Sequence, residues 1–149
     1  MKLTQRLSYF VMLVLFNSLA SATALHSMTK EQIQQAFINK TLVSIPTDNL
    51  NGKTINNSFT MYMDDKGIIY GKMSLKPEGE PQEDKGIYTL EPDGTVSIIW
   101  NHWDRKEKLY AQFFETKNAY LAIGVDKVFH TVFMKETILF GNRIVSSSK

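Results

Sequence analysis

About eight short runs rich in β-branched and aromatic residues succeed one another from Lys40 onward: KTLVSI, SFTMYM, IIYGKMSL, GIYTL, TVSIIWNHW, KLYAQFF, AYLAIGV and VFHTVFMKETILF. Between them lie PTDNLNGKTINN, DDKG, KPEGEPQEDK, EPDG, DRKE, TKN and DK, all of which carry turn chemistry. Asp65-Lys66-Gly67 and Pro92-Asp93-Gly94 suit tight hairpin connections, because proline presets φ and glycine supplies positive φ. Strands this short and joined this tightly pair with their sequence neighbours, so the pattern predicts a mainly β fold, an antiparallel meander of about eight strands. Open strand edges invite aggregation, and closing the meander as a barrel or packing it as a β-sandwich removes them.

One short N-terminal helix is expected ahead of the sheet. In MTKEQIQQAF, Thr29 and Gln32 have the spacing of a capping box, and Met28 with Ile33 has that of a hydrophobic staple. Ile33, Ala36 and Phe37 form an apolar stripe at helical spacing, and Asn39 ends it. A helix of about ten residues is marginal alone, so it should dock its Ile33 and Phe37 face on the sheet.

The first 24 residues have the order of a secretory signal peptide: Lys2 and Arg6, then an apolar run from Leu7 to Phe16, then small residues. A spanning helix needs about 20 apolar residues. This run breaks at Asn17 and Ser18, so no stable membrane anchor is expected. Ala20 with Ala22, or Ala22 with Ala24, meets the small-residue requirement for cleavage, and the mature chain is expected to begin at Thr23 or Leu25. Residues 25–149 would then form a single domain, periplasmic or secreted. With no cysteine, the exported chain has no disulfide, no thiolate chemistry and no lipid on an N-terminal cysteine. About 125 residues can hold a core by packing alone.

Charge removes one class of partner. The chain has 17 basic and 15 acidic residues, and loss of Lys2 and Arg6 leaves 15 of each. A nearly neutral protein is a poor counterion for phosphates, so no nucleic-acid partner is expected. Arg105, Lys106 and Lys108 alternate with Asp104 and Glu107, as in a solvated turn.

The residues offer no constellation for catalysis. There is no Gly-x-Ser-x-Gly elbow, no paired zinc ligands at helical spacing and no phosphate loop. The carboxylates Asp64, Asp65, Glu78, Glu80, Glu83 and Asp84 fall in polar, turn-like stretches, where solvation leaves carboxyl groups without the burial that shifts a pKa. His26 lies near the N-terminus and His102 near a strand end, while His130, alternating with Val128 and Val132, reads as a core histidine. The expectation is a protein that is not an enzyme and holds no metal and no cofactor.

The stretch VSIIWNHWDRKEKLYAQFF contains both tryptophans. Alternation sets Val96, Ile98, Trp100 and His102 against Ser97, Ile99, Asn101 and Trp103, which places Trp100 on the apolar face and Trp103 on the mixed one. If the barrel holds a ligand, Trp100, Trp103, Tyr110, Phe113 and Tyr120 are the candidates to line its cavity. The insertion Lys76–Gly86, with two prolines and four acids, is expected to be a mobile loop and a possible protein contact.

From Phe59 to Asn142 the chain resembles small exported bacterial β-domains. In these a hairpin with an Asp-Gly type turn (here Asp65, Gly67) leads to a Gly-x-aromatic strand (Gly86, Tyr88). A second Asp-Gly turn (Asp93, Gly94) follows, then a strand ending near tryptophan (Trp100, Trp103) and, further on, Tyr110, Gly141 and Asn142. Such domains are similar to calycins, the lipocalin-like barrels. The lipocalin Gly-x-Trp belongs to the first strand, whereas Gly86-Ile87-Tyr88 is mid-chain and carries tyrosine. The resemblance implies a calycin-like barrel that binds a small apolar ligand. A second expectation is a secreted protein-interaction module, an inhibitor or host-directed factor, with a filled core and functional loops.

Overall fold

The computed structural model describes residues 25–45, 58–73, 80–103, 107–125 and 129–144 in full, and 48–50 and 53–55 as backbone. The leader and the residues before Leu25 therefore lie outside the described residues. The chain is mainly β: one antiparallel sheet, curled into a barrel-like wall, with one short helix among the described residues.

The helix α1, Lys30–Phe37, forms where its capping signals stand. Thr29 Oγ1 accepts from the Gln32 N–H (3.3 Å) while Gln32 Oε1 accepts from the Thr29 N–H (2.8 Å). Ile33, Ala36 and Phe37 are buried on the sheet, and Met28 beside them is buried too. The chain leaves the helix at Ile38, which is extended, and Asn39 with a left-handed φ of 61° turns it into the first strand.

The strands are β1 Lys40–Val43, β2 Asp48–Leu50, β3 Lys53–Ile55, β4 Thr60–Met63, β5 Ile68–Met73, β6 Gln82–Leu90, β7 Val96–Trp100, β8 Lys108–Glu115, β9 Ala119–Gly124, β10 Phe129–Met134 and β11 Leu139–Phe140. Their order in the sheet is β11-β1-β4-β5-β6-β7-β8-β9-β10-β2-β3. The wall curls far enough for Ser44 to bridge Phe133 and for the Ile45 N–H to donate to the Val132 carbonyl (2.9 Å). β1 thus has β4 on one edge, with β11 and the end of β10 on the other.

Inward side chains fill the interior in one continuous core. Phe37, Phe133, Leu42, Met63, Ile69 and Val96 have no exposed surface. The helix supplies the plug at one end, where Phe37 packs on Phe113 (4.8 Å between ring centroids) and on Tyr120 (4.9 Å, edge to face). Tyr88 donates its hydroxyl to the Asp64 carbonyl, and burial, with the charges of Asp64 and Asp65, pushes its phenol up to about 12.

Four expectations need correction. The segment PTDNLNGKTINN contains a hairpin, β2 with β3, whose first strand pairs with β10. Its Asn-Gly pair is hairpin chemistry, and its polar residues lack the alternation that marks a half-buried strand. Lys76–Gly86 is not all loop, because Gln82–Gly86 form the start of β6 and pair with β5. Its charges suit an outward strand face, where Glu83 meets Lys72 at 3.0 Å. VFHTVFMKETILF is not one strand, since a 3-10 turn at Lys135–Thr137 separates β10 from β11. His130 is exposed, for the inward positions are Thr131 and Phe133.

Candidate functional site

The antiparallel order puts the β6–β7 and β8–β9 turns at the helix-plugged end. The facing ends of β5 and β6, of β7 and β8 and of β9 and β10 therefore lie at the opposite end, the mouth. Three aromatic side chains meet there. Trp100, at the end of β7, is buried, while Trp103 and Phe59 are partly buried beside it. Ring centroids lie 4.8 Å apart for Trp100–Trp103 and 6.4 Å for Phe59 with either indole.

Strand alternation would send Trp103 to the face opposite Trp100. β7 instead stops at Trp100, and the bend at Asn101–His102 swings Trp103 back onto its neighbour. A carboxylate holds that bend. Asp84 Oδ2 accepts from the N–H groups of His102 (2.9 Å) and Trp103 (2.8 Å), and Oδ1 accepts from the Lys85 N–H (2.8 Å) and faces His102 Nδ1 at 2.9 Å. The Asp84 side chain is 1% exposed and the His102 side chain 82%. Asp84 is thus no solvated turn carboxylate, as its charged surroundings in the sequence imply, but an internal one that pins the mouth. Burial raises its pKa, yet the N–H groups of Trp103 and His102, the His102 ring and the Lys85 N–H more than offset that, and the carboxyl sits below its ordinary range. The His102 ring bond directs Nε2 away from the carboxylate, and Nε2 has no hydrogen-bond partner among the described residues.

Gly71 of β5 is the floor of the cluster. A Cβ there would lie 2.6 Å from Trp103 Cζ3 and 2.7 Å from Trp100 Cη2, so the two indoles rest on bare backbone. Gly71→Ala is expected to displace both rings, to cost about 1 to 3 kcal/mol and to reduce the near-ultraviolet circular dichroism of the tryptophans. An unchanged spectrum and melting temperature would show that the rings do not need this floor.

The five candidates from the sequence separate into three places. Trp100 and Trp103 are at the mouth. Phe113 and Tyr120 face inward at the other end, around Phe37. Tyr110 belongs to the outward face of β8, under the Lys108 ammonium at 5.2 Å, because Leu109, Ala111 and Phe113 take the inward positions. Phe59, Gly71 and Asp84 escape a reading of the sequence. Only Asp84 had a signal, the alternation Asp84, Gly86, Tyr88, Leu90 along one strand face.

No group of three or more metal-binding side chains occurs among the described residues. No described helix is long and apolar enough to cross a membrane. No protein-family model, curated protein or solved structure matches the chain.

Proposed function

We propose that the protein is an exported, non-enzymatic, calycin-like binding module that takes a small, largely apolar ligand at its mouth, on Phe59, Trp100 and Trp103. The observation that carries this reading is the aromatic cluster, with Trp103 and Phe59 only partly buried beside a buried Trp100, in which a buried carboxylate pulls Trp103 out of strand register and holds it in place. Aromatic rings on a rigid support bind apolar molecules by stacking at small entropic cost. A filled interior favours the rim over the inside of the wall as the place for such a ligand.

The test is a tryptophan-quenching titration with a panel of fatty acids and aromatic acids, alongside native mass spectrometry of gently purified protein. Trp103→Ala is expected to weaken binding at least tenfold, about 1.4 kcal/mol, in protein whose far-ultraviolet circular dichroism shows it still folded. Absence of any saturable ligand in wild type, or full affinity in the variant, would remove the basis of the proposal. Fractionation of expressing cells, with sequencing of the N-terminus, tests export and predicts a start at Thr23 or Leu25.

A second reading, a secreted protein-interaction module, draws support from the outward row Ile68, Ile87 and Ile99. These are cross-strand neighbours on β5, β6 and β7, and Ile87 is 53% exposed. Under that reading Ile87→Asp abolishes capture of a protein partner, whereas Trp103→Ala leaves it intact.

A further inference from the structure

At the plugged end, away from the aromatic mouth, an open cleft of about 400 Å³ separates α1 from the ends of β8 and β9. Gln32 and Gln35 form its helical wall, Lys40 its base, and Glu115 with Tyr120 the sheet side, over an apolar patch of Met28 and Ala36. Gln32, Gln35 and Ala36 share one face of α1, and Met28 lies just before its cap.

Hydrogen-bonding capacity in this cleft is mostly unused, and much of it is donor capacity. Gln32 commits its Oε1 to the Thr29 N–H, and its amide NH2 has no partner among the described residues. The Gln35 side-chain amide and the Tyr120 hydroxyl make no hydrogen bond among the described residues. Burial, the largest cause, together with Glu115 raises the Tyr120 phenol above its ordinary value despite Lys135, so it stays a donor. Lys40 Nζ donates once, to the Gln35 carbonyl at 2.5 Å, and has no carboxylate partner among the described residues. The anion present, Glu115, is already engaged by Lys135 at 2.5 Å. Lys40, whose ammonium also lies over the Phe140 ring at 5.8 Å, is therefore the lining cation that has no carboxylate partner among the described residues, beside amide and phenol donors.

We infer that this cleft is a second ligand site, specific for a small organic carboxylate that carries further acceptor groups, with Lys40 holding the carboxylate and Gln32, Gln35 and Tyr120 donating to those acceptors. Charge-assisted bonds from an ammonium to a carboxylate are the strong ones. Tyr120 and Ala36 leave room for a short carbon skeleton. The same chemistry occurs in sugar acids and in amide-bearing acids such as acylated amino acids.

Isothermal titration of the purified protein with D-glucuronate and with N-acetylglycine distinguishes these two sources, with D-glucose and N-acetylglycinamide as neutral controls. At least one carboxylate is expected to bind saturably, and its neutral counterpart at least about tenfold more weakly. Lys40→Met should weaken the carboxylate about tenfold or more, and Gln35→Leu, an exposed substitution on the helix, should weaken it several-fold with the melting temperature retained. Amide shifts in an NMR titration should centre on residues 32–40 and 119–121. Failure of both carboxylates to bind, equal affinity for the neutral controls, or undiminished affinity in both variants would overturn the assignment. None of these results bears on the aromatic mouth, where Trp103→Ala should leave the carboxylate titration unchanged.

Discussion

Asp84→Asn is expected to cost about 3 kcal/mol and to release Trp103 from its neighbours, because each lost or reversed bond to a buried charged acceptor contributes about 1.5 to 3 kcal/mol. The wild-type carboxylate uses both oxygens, each facing two donors. An amide of the same shape has a single acceptor oxygen, so its NH2 group meets either the His102 and Trp103 N–H groups or the Lys85 N–H together with the His102 ring, and at least one backbone donor loses its acceptor. Urea denaturation gives the stability change, and a red shift of tryptophan emission gives the exposure of the ring. Glu83→Gln is the comparison: its partner Lys72 is solvated like itself, and an exposed pair contributes at most about 1 kcal/mol. Equal effects from the two variants would mean that Asp84 does not organise the mouth.

Acid should act through the same residue. The folded carboxyl has a pKa below its ordinary value of 3.8, so the unfolded chain takes up the proton first as the pH falls. The contribution of Asp84 is therefore complete above that value and fades as the pH drops through the folded one. In the Asp84→Asn protein the same part of the acid titration should be flatter.

Gly86→Ala is the second large effect, about 3 kcal/mol or failure to fold, at the upper end of what overpacking costs. A Cβ at this position would lie 2.3 Å from the Ile99 carbonyl oxygen and 3.1 Å from Trp100 Cα. Both are backbone atoms of the adjoining strand and have no rotamer in which to retreat. Relief requires β6 and β7 to separate where Gly86 pairs with Trp100, which also lifts Trp100 from the core. Gly141→Ala is the control: nothing lies within 4 Å, and its φ of 77° leaves only a left-handed strain of about 1 kcal/mol. Melting curves of the two should differ clearly. A mild Gly86→Ala would mean that the sheet yields at this crossing more easily than its geometry implies.

Local chemistry made the helix and most of the strands legible. Thr29 and Gln32 form their reciprocal cap from neighbours three residues apart, and the Pro92-Asp93-Gly94 turn closes with the Glu91 N–H on the Thr95 carbonyl. Such bonds join residues close in sequence, so the sequence specifies them without reference to the rest of the chain. Alternation likewise placed Trp100 on the apolar face, and it is buried.

What a pattern of period two cannot carry is where a strand stops and what lies across from it. Trp103 changes sides because a bend interrupts the alternation, and the cause of the bend, Asp84, is 19 residues away. Charged residues in series read as solvated, yet Asp84 is internal because three backbone N–H groups and a histidine converge on it from two segments. The bare floor at Gly71 and the tight crossing at Gly86 are equally distant in cause, since the atoms that forbid a side chain belong to other strands. The sequence by itself therefore determined a capped helix ahead of a hairpin-linked antiparallel sheet, through contacts between near neighbours. Tertiary structure alone decided the curl of the sheet, the buried carboxylate and the grouping of Phe59, Trp100 and Trp103, because each depends on atoms that meet only after distant strands have paired.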